Sequence, residues 1–364
     1  MTRAALLKLA RGGLAMPIGT DLLLHEASDP EAVRRDGRGL GEVVVASARR
    51  WQTPLAIPLM DLRTEKSDLL AFFGVADEER DRFHFDGAPD AHAVEALYDA
   101  AERPFPVENR AQHEALRVVR EHRDLVAVGM AIGPLSLATK LMADPIPAIA
   151  FAAREGDEAE EPLAVCFRRC MEMAEITVER AIAAQLQAGA QAILVCEPSA
   201  SVAFLSPRQM RGERHLFHRF AIEPHLRLKR IVCNAEAEYF FHDCGDLNDE
   251  MVRLIGWELH PAMLSLGSSR RLWEDARHVP DDVVLFGNLP TRQFYSDAAM
   301  PGERVAEMTS ELCARMRETG QPFIAGSECD VLHVPEAADT VREKVDLMLR
   351  VARDYFEREG AGEA

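Results

Sequence analysis

Short apolar runs alternate with longer amphipathic stretches along most of this chain, and no other feature limits its possible folds as strongly. Strands that alternate with helices predict parallel βαβ units. Among the helical stretches, residues 157–189 and 301–320 each end on a glycine, which is a common helix stop. The predicted strands are residues 55–61, 125–133, 191–197, 237–244, 262–267, 283–288 and 322–328.

Every predicted strand ends on a glycine, a cysteine, an asparagine or an acidic residue. In a (β/α)8 barrel the functional side chains lie at the carboxyl ends of the strands, so this pattern favours an α/β TIM barrel. An open doubly wound sheet also alternates strands with helices and stays the alternative, although no glycine-rich dinucleotide or P-loop motif follows the first strand. The terminal residues are Asp61, Gly133, Glu197, Cys244, Gly267, Asn288 and Glu328.

The length of 364 residues suits one α/β barrel with additions. We therefore expect a single barrel domain over residues 1–364, with residues 1–50 as N-terminal decoration. Seven strands are visible in the pattern, and the first hundred residues are expected to supply the missing strand together with further helices. No linker, internal repeat or low-complexity tract divides the chain.

The composition argues against several classes of partner. The 60 acidic and 42 basic side chains give a formal net charge of −18, which disfavours binding to a nucleic-acid backbone or to an anionic membrane. Hydrophobic residues make up 48% of the chain, so a large core can form. No stretch reaches the roughly 20 apolar residues of a membrane span, and the first residues lack the apolar core of a secretory signal. We expect a cytoplasmic protein.

The seven cysteines have spacings that suggest no disulfide framework. In a reducing compartment they are expected to be free thiols or metal ligands. Because free cysteine often behaves as a small buried hydrophobic residue, we interpret five of them in this way. These five are Cys166, Cys170, Cys196, Cys233 and Cys313.

The other two cysteines form a candidate metal site with a histidine. His242 and Cys244 lie two residues apart in HDCG, so on an extended chain their side chains point to the same face. Cys329 follows the last predicted strand, and in a barrel it would meet the other two at the mouth. Three N/S ligands with an open fourth position are typical of catalytic zinc. The alternative is an unrelated histidine and two buried thiols.

Five segments of the chain follow one another in a characteristic order: VGMAIGPLSLATKLM, QAGAQAILVCEPSASVAFLSPRQM, HDCG, LFGNLP and PFIAGSECDVLHVPEAADTVREKV. Together they resemble the uroporphyrinogen decarboxylase superfamily. Within it, they are most similar to the branch of cobalamin-dependent methyltransferases that includes the methylcobalamin:coenzyme M methyltransferases. The resemblance extends from about residue 50 to residue 350. The family fold is a (β/α)8 barrel, in agreement with the strand pattern.

The resemblance implies a use for the three candidate ligands. In the methyltransferase branch an H-x-C motif and a distant cysteine bind Zn²⁺, and the matching positions are His242, Cys244 and Cys329. The implied function is a zinc-dependent transfer of a methyl group between a corrinoid (methylcobalamin or a corrinoid protein) and a thiol or related acceptor. The chain has no D-x-H-x-x-G corrinoid-binding segment, so the corrinoid would be free or carried by a partner.

Three differences from the methyltransferase pattern indicate a methyl donor or acceptor that differs from those of coenzyme M methylation. Gln191 stands where the branch has the aspartate of G-A-D, and Glu197 replaces the aspartate of Asp-Pro. Glu328 replaces the glycine before the last cysteine. Its carboxylate would either complete the zinc site as a fourth ligand or point into solvent.

The resemblance also leaves other functions open. True uroporphyrinogen decarboxylases lack the zinc ligands and carry an arginine-rich N-terminal motif, which residues 9–29 do not show. Metal-free decarboxylation of a tetrapyrrole is nevertheless the alternative, and a non-catalytic module that binds a corrinoid or stores zinc is a third hypothesis. Asp61 matches the decarboxylases' substrate-orienting aspartate by position and is a candidate catalytic residue. A homodimer would fit the decarboxylase relatives.

An imidazole that binds a metal usually donates its other nitrogen to a carboxylate or a carbonyl. Asp246, Asp330 and Glu197 are the candidates for this role beside His242. Glu197, at the end of a predicted strand, is also a candidate catalytic residue.

Two turn-forming segments at strand ends complete the candidate site. Gly133 begins GPLSLA, and Asn288 lies within FGNLP. Glycine allows the backbone to approach a ligand closely, so both residues are candidates for cofactor binding. The alternative for both segments is tight packing between a strand and the following helix.

Overall fold

The computed structural model describes residues 1–153, 161–206 and 215–362. Residues 157–160 of the predicted helix and residues 207–210 of the second family segment lie outside this part of the chain. Eight strands form one sheet in the order β1-β8-β7-β6-β5-β4-β3-β2. Their bounds are β1 Ala15–Ile18, β2 Leu55–Ala56, β3 Val126–Ile132, β4 Ala192–Cys196, β5 Glu238–Asp243, β6 Met263–Leu266, β7 Val284–Leu289 and β8 Phe323–Asp330.

All paired strands are parallel, and from β2 to β8 each strand pairs with the one that follows it in the chain. β1 pairs with β8, so the sheet curls round on itself. A doubly wound sheet would instead reverse its strand order in the middle. The prediction of a (β/α)8 barrel-like fold is confirmed, and the doubly wound alternative is wrong.

Side chains bridge the two ends of the sheet. In the described part of the chain no backbone ladder joins β1 to β2. The Thr20 hydroxyl donates to the carbonyl oxygen of Ile57 over 2.6 Å. The Thr53 hydroxyl donates to Met16 Sδ over 3.1 Å. These contacts hold the first and second strands next to each other where backbone pairing does not.

The strand that the sequence pattern did not resolve is β1. It has only four residues, AMPI, and the proline cannot donate a ladder hydrogen bond. Residues 1–50, expected as decoration, thus contain one barrel strand besides helices. The predicted strand 55–61 is much shorter than expected, since only Leu55–Ala56 pairs with β3.

Helices surround the sheet, and the predicted stop at Gly320 is confirmed because this residue ends its helix with φ of 72°. Within the described residues, no helix combines the length and the apolar character needed to cross a bilayer. The helices are α1 Arg3–Arg11, α2 Thr20–Leu24, α3 Pro30–Arg35, α4 Gly37–Arg50, α5 Thr64–Phe72, α6 Asp77–Arg80, α7 Ala91–Asp99, α8 Val107–Arg120, α9 Pro134–Lys140, α10 Pro145–Ala152, α11 Pro162–Gln187, α12 Glu223–Asn234, α13 Asp249–Leu254, α14 Leu272–Asp275, α15 Gly302–Thr319 and α16 Ala338–Gly362.

Shorter helical turns join these elements. One α-helical turn and two π-helical segments lie beside α12 and α13, and three 3-10 turns lie in the second half of the chain. They are His215–Phe217, His218–Ile222, Ile255–Leu259, Ala276–His278, Thr291–Gln293 and Pro335–Ala337.

Two apolar clusters follow from the alternation of side chains along each strand. One fills the inside of the curled sheet, with Phe240, Met263 and Phe286 among its largest members. The other lies between the sheet and the helices. The side chain of a polar residue at a strand end therefore lies either at the mouth of the barrel or in the layer beneath the helices.

All seven cysteines are free. Four of the five that were interpreted as buried are buried. Cys233 is exposed, so the interpretation is wrong for this residue, which lies near the end of α12.

Candidate metal centre

His242, Cys244 and Cys329 meet at one point of the structure. His242 lies near the end of β5, Cys244 is the first residue after that strand, and Cys329 is the penultimate residue of β8. Their ligand atoms all lie within 4.8 Å of one another. β5 and β8 are separated by two other strands, so only the curling of the sheet brings these residues together.

The geometry and chemistry of these three donors fit a tetrahedral metal ion. The two cysteine Sγ atoms are 3.7 Å apart. Two thiolates bound to tetrahedral zinc at about 2.3 Å would be about 3.8 Å apart. His242 Nε2 is buried and has no hydrogen-bond partner among the described residues. A buried nitrogen without a partner is costly, and coordination to a metal would satisfy it.

Ser265 orients the candidate imidazole ligand. Its hydroxyl lies 2.7 Å from His242 Nδ1, which leaves Nε2 free to face the two sulfurs. Ser265 is the neighbour of His242 in the β5–β6 register and the only polar residue in its strand. That isolated serine could have been noticed in the sequence. The expectation of an orienting carboxylate from Asp246, Asp330 or Glu197 is wrong.

Ser265→Ala is expected to weaken metal affinity by about 10- to 100-fold, since the loss of an orienting hydrogen bond has an effect of this size at metal sites. Competition of the purified variant with a chelating dye measures the change. Ser310→Ala, on the exposed face of α15, is the matched control. Equal affinities of the variant and the wild type would contradict the orienting role.

Arg292 brings positive charge to the two sulfurs. It follows β7, and its Nη2 donates to Cys244 Sγ over 3.2 Å. The contact with Cys244, and after it the neighbouring His242 imidazole and Arg292 guanidinium, outweigh burial and hold the pKa of the Cys329 thiol well below its ordinary value. A thiolate is the form that binds metal. Arg292 was not predicted from the sequence. The sequence shows only that a basic residue lies in the loop after a predicted strand.

Glu328 is neither a metal ligand nor a solvent-exposed residue. It is 7% exposed, and its carboxylate accepts hydrogen bonds from the Ser268 hydroxyl and from the backbone amide of Arg292, the latter over 3.3 Å. Adjacent strand residues point to opposite faces, so Glu328 faces away when Cys329 faces the centre. Both expectations for Glu328 are wrong, and its role is to hold the loop that carries Arg292.

Asp61 lies at the rim of the centre. Its carboxylate accepts hydrogen bonds from Arg63 at 2.8 Å and from Arg34 at 3.4 Å. Burial raises the pKa of Asp61, but the two arginines outweigh burial and hold this pKa below its ordinary value. The preceding residue, Met60, places Sδ 3.8 Å from Cys329 Sγ. Asp61 is thus close to the centre and ion-paired, and its catalytic role stays a prediction.

Glu197 belongs to a buried network beneath the helices and not to the metal centre. Its carboxylate accepts hydrogen bonds from the amides of Leu135 at 3.0 Å and Ser136 at 2.6 Å, at the N-terminus of α9. It also lies 2.8 Å from His225 Nε2. Both carboxylate oxygens are therefore occupied away from the three metal donors, and a catalytic role for Glu197 stays a prediction.

Gly133 is required by packing. A Cβ atom at this position would lie 2.2 Å from Glu197 Oε2, far closer than van der Waals contact. The glycine lets the buried carboxylate reach the start of α9. This contact favours the packing alternative, and a role for Gly133 in cofactor binding stays a prediction.

Asn288 ties down the loop after β6. Its Nδ2 donates to the carbonyl oxygens of Gly267 at 2.8 Å and Arg270 at 2.9 Å. These bonds give the side chain a structural role next to the centre. Its role in cofactor binding stays a prediction.

A solved structure has a fold similar to that of the whole chain. It is similar to a methyltransferase from Methanosarcina mazei, with a TM-score of 0.67 and 14% sequence identity over 98% of this chain and 99% of that chain. At this identity the likeness shows the fold alone. No curated protein sequence matches the chain. Residues 84–355, more than half of the chain, match the family described as uroporphyrinogen decarboxylase (URO-D). The chain therefore belongs to the uroporphyrinogen decarboxylase (URO-D) family.

Proposed function

We propose that this protein is a zinc-dependent methyltransferase that moves a methyl group between a corrinoid and a thiol. The observation that carries the proposal is the convergence of His242, Cys244 and Cys329, with the imidazole Nε2 buried and unpartnered beside two sulfurs 3.7 Å apart. Neither a structural core nor a metal-free decarboxylase needs such a set of donors.

Zinc held by three N/S ligands supplies an open coordination position at which a bound thiol loses its proton and stays nucleophilic. Within the protein, Ser265 would hold the imidazole in position. Arg292 would partly offset the negative charge of the two thiolates through its contact with Cys244. Glu328 would keep Arg292 in place by accepting its backbone amide hydrogen bond.

The corrinoid part of the proposal rests on the resemblance of five sequence segments to the cobalamin-dependent branch, and the name of the structural neighbour is compatible with it. The sequence contains no D-x-H-x-x-G segment, so the methyl carrier is proposed to be free methylcobalamin or a separate corrinoid protein. The barrel mouth, where loops after the strands set specificity, is the surface that would meet it.

Metal-free decarboxylation of a tetrapyrrole is the second candidate function, because the matched family carries the name of that reaction. Substrate carboxylates would then need arginines at the mouth, and Arg34 and Arg63 are available at its rim beside Asp61. This reaction does not require a metal, so it does not explain why His242, Cys244 and Cys329 lie together.

The methyl-transfer reaction tests the proposal directly. Protein supplied with zinc is incubated without oxygen with methylcobalamin and 2-mercaptoethanol, and the cobalamin absorbance and the methyl thioether product are followed. We expect turnover that disappears when the metal is removed with a chelator and returns when zinc is added back. Decarboxylation of uroporphyrinogen by metal-free protein, with no methyl transfer to any of a panel of thiols, would overturn the proposal.

A further inference from the structure

A cavity of about 310 Å³ lies between α14 and α15, away from the three metal donors. Its walls come from the loop after β6, from α14, from the end of β7 and from one face of α15. On α15 the wall residues are Arg304, Met308, Glu311 and Arg315, whose spacing of four, three and four positions places them on the same side of a helix. Arg271 lines the opposite wall.

The charge of this cavity is opposite to that of the whole chain. Among the described residues, four arginines and two glutamates line it. The chain as a whole has 60 acidic and 42 basic side chains, with a formal net charge of −18. Clustered guanidinium groups in an acidic protein create a local positive potential, which attracts a small anion to this cavity.

Three of the four arginines keep donors available for a ligand. Arg270 is the exception, because Asp249 and Asp275 bind its guanidinium. Each of the others donates through Nη1 to the glutamate three residues further along the chain, over 3.1–3.2 Å. All three side chains are exposed, and exposed ion pairs of this kind stabilise a protein little. Since a guanidinium has five N–H donors, most of them remain free to bind an anion. These three are Arg271, Arg304 and Arg315.

Apolar side chains form another part of the wall. Trp273 and Met308 line the cavity and pack against the core with part of their surface uncovered, and Leu312 is buried beside them. The indole ring offers a flat face on which an aromatic ligand can stack. At about 30 Å³ for each water-sized group, the cavity holds roughly ten such groups. The ligand is therefore larger than a bare inorganic anion.

We propose that this cavity is a binding site for an aromatic phosphate monoester, with the phosphate held by Arg271, Arg304 and Arg315 and the ring packed against Trp273 and Met308. A phosphate monoester carries a charge of about −1.5 to −2 at pH 7 and has three acceptor oxygens, which match the fork of a guanidinium. A carboxylate brings one charge and two oxygens, so it satisfies fewer of the arginines. The site is separate from the metal centre, and the inference does not depend on the proposed function.

Isothermal titration calorimetry of the purified protein with phenyl phosphate, benzoate and inorganic phosphate tests the site. We expect phenyl phosphate to bind at least tenfold more tightly than either of the others. Arg304→Ala and Arg315→Ala should each weaken this binding about tenfold, the effect of losing one charge-assisted hydrogen bond. Glu311→Gln removes a negative charge from the wall and should strengthen the binding several-fold, a gain that a damaged fold would not give. Arg117→Ala is the matched control, because this exposed arginine of α8 also pairs with a glutamate three residues away, and it should change nothing.

Two further measurements separate this site from other ways of binding a phosphate. Phenyl phosphate should bind equally well to wild-type protein, to chelator-treated protein and to Cys329→Ser, and binding that disappears with the metal would place the anion on zinc and overturn the proposal. Trp273→Ala should reduce the affinity for phenyl phosphate to that for inorganic phosphate. Equal affinity of the wild type for these two anions would indicate an adventitious ion only. Wild-type affinity for phenyl phosphate in the double variant Arg304→Ala, Arg315→Ala would also overturn the site.

Discussion

Replacing Cys329 with serine is expected to release the metal and to abolish methyl transfer, with the fold intact. A serine hydroxyl is far less acidic than a thiol, so at neutral pH the variant offers only His242 and Cys244 as ligands. Metal content should fall from about one zinc per chain to less than about a tenth, since the affinity of zinc sites depends on the full set of deprotonated ligands. Activity should fall at least about a thousandfold.

The measurement is metal content by plasma mass spectrometry after exhaustive dialysis, together with the thermal unfolding temperature of each protein. Cys233→Ser is the matched control, because this thiol is exposed and lies on the end of α12. It should keep its zinc and its activity. Zinc retained in Cys329→Ser, or wild-type protein that takes up no zinc even when zinc is supplied, would contradict the assignment of the ligands.

Removing the carboxylate of Glu197 is expected to have the largest effect on stability. Glu197→Ala leaves the amides of Leu135 and Ser136 and the ring of His225 without their acceptor, in a region where Glu197 itself is 0% exposed. Breaking a buried, hydrogen-bonded pair of this kind costs about 3–5 kcal/mol. The variant should therefore lose a large part of the free energy of unfolding of an ordinary domain, which is about 5–15 kcal/mol.

Urea denaturation followed by circular dichroism gives the free energy of unfolding. Glu318→Ala, at a carboxylate that is 65% exposed on α15, is the control and should change this free energy by less than about 0.5 kcal/mol. A loss below about 1 kcal/mol in Glu197→Ala would show that water replaces the carboxylate and that the network is not a major source of stability. Zinc content per folded chain should stay unchanged, which separates this residue from the metal centre.

The sequence could predict the architecture because the alternation of strands and helices is a local property. Six of the seven predicted strands match observed strands closely, and the third family segment, HDCG, lies at a strand end as expected. The candidate ligands His242 and Cys244 could also be identified from the sequence, because two residues that are two positions apart on a strand share a face. β1 was not predicted, because its four residues, one of them a proline, show too little of the strand pattern to be recognised.

Three residues that were placed at the rim by the sequence pattern make contacts away from the metal centre, and one cause explains this. Glu197, Gly133 and Glu328 each end a predicted strand. Along a strand, alternate side chains face opposite sides, so a shift of one residue decides between the barrel mouth and the packing layer. Glu197 faces α9 and His225, and Glu328 faces the Arg292 loop.

By itself, the sequence determined a barrel of parallel strands, the chemical types of three metal donors and the family from which their use is inferred. Only the tertiary structure decided that β5 and β8 bring those donors within 4.8 Å, and that Ser265 and Arg292 contact them. The physical reason is separation along the chain. Contacts such as Cys244 to Cys329, 85 residues apart, depend on how the whole sheet curls, and no local pattern encodes that distance.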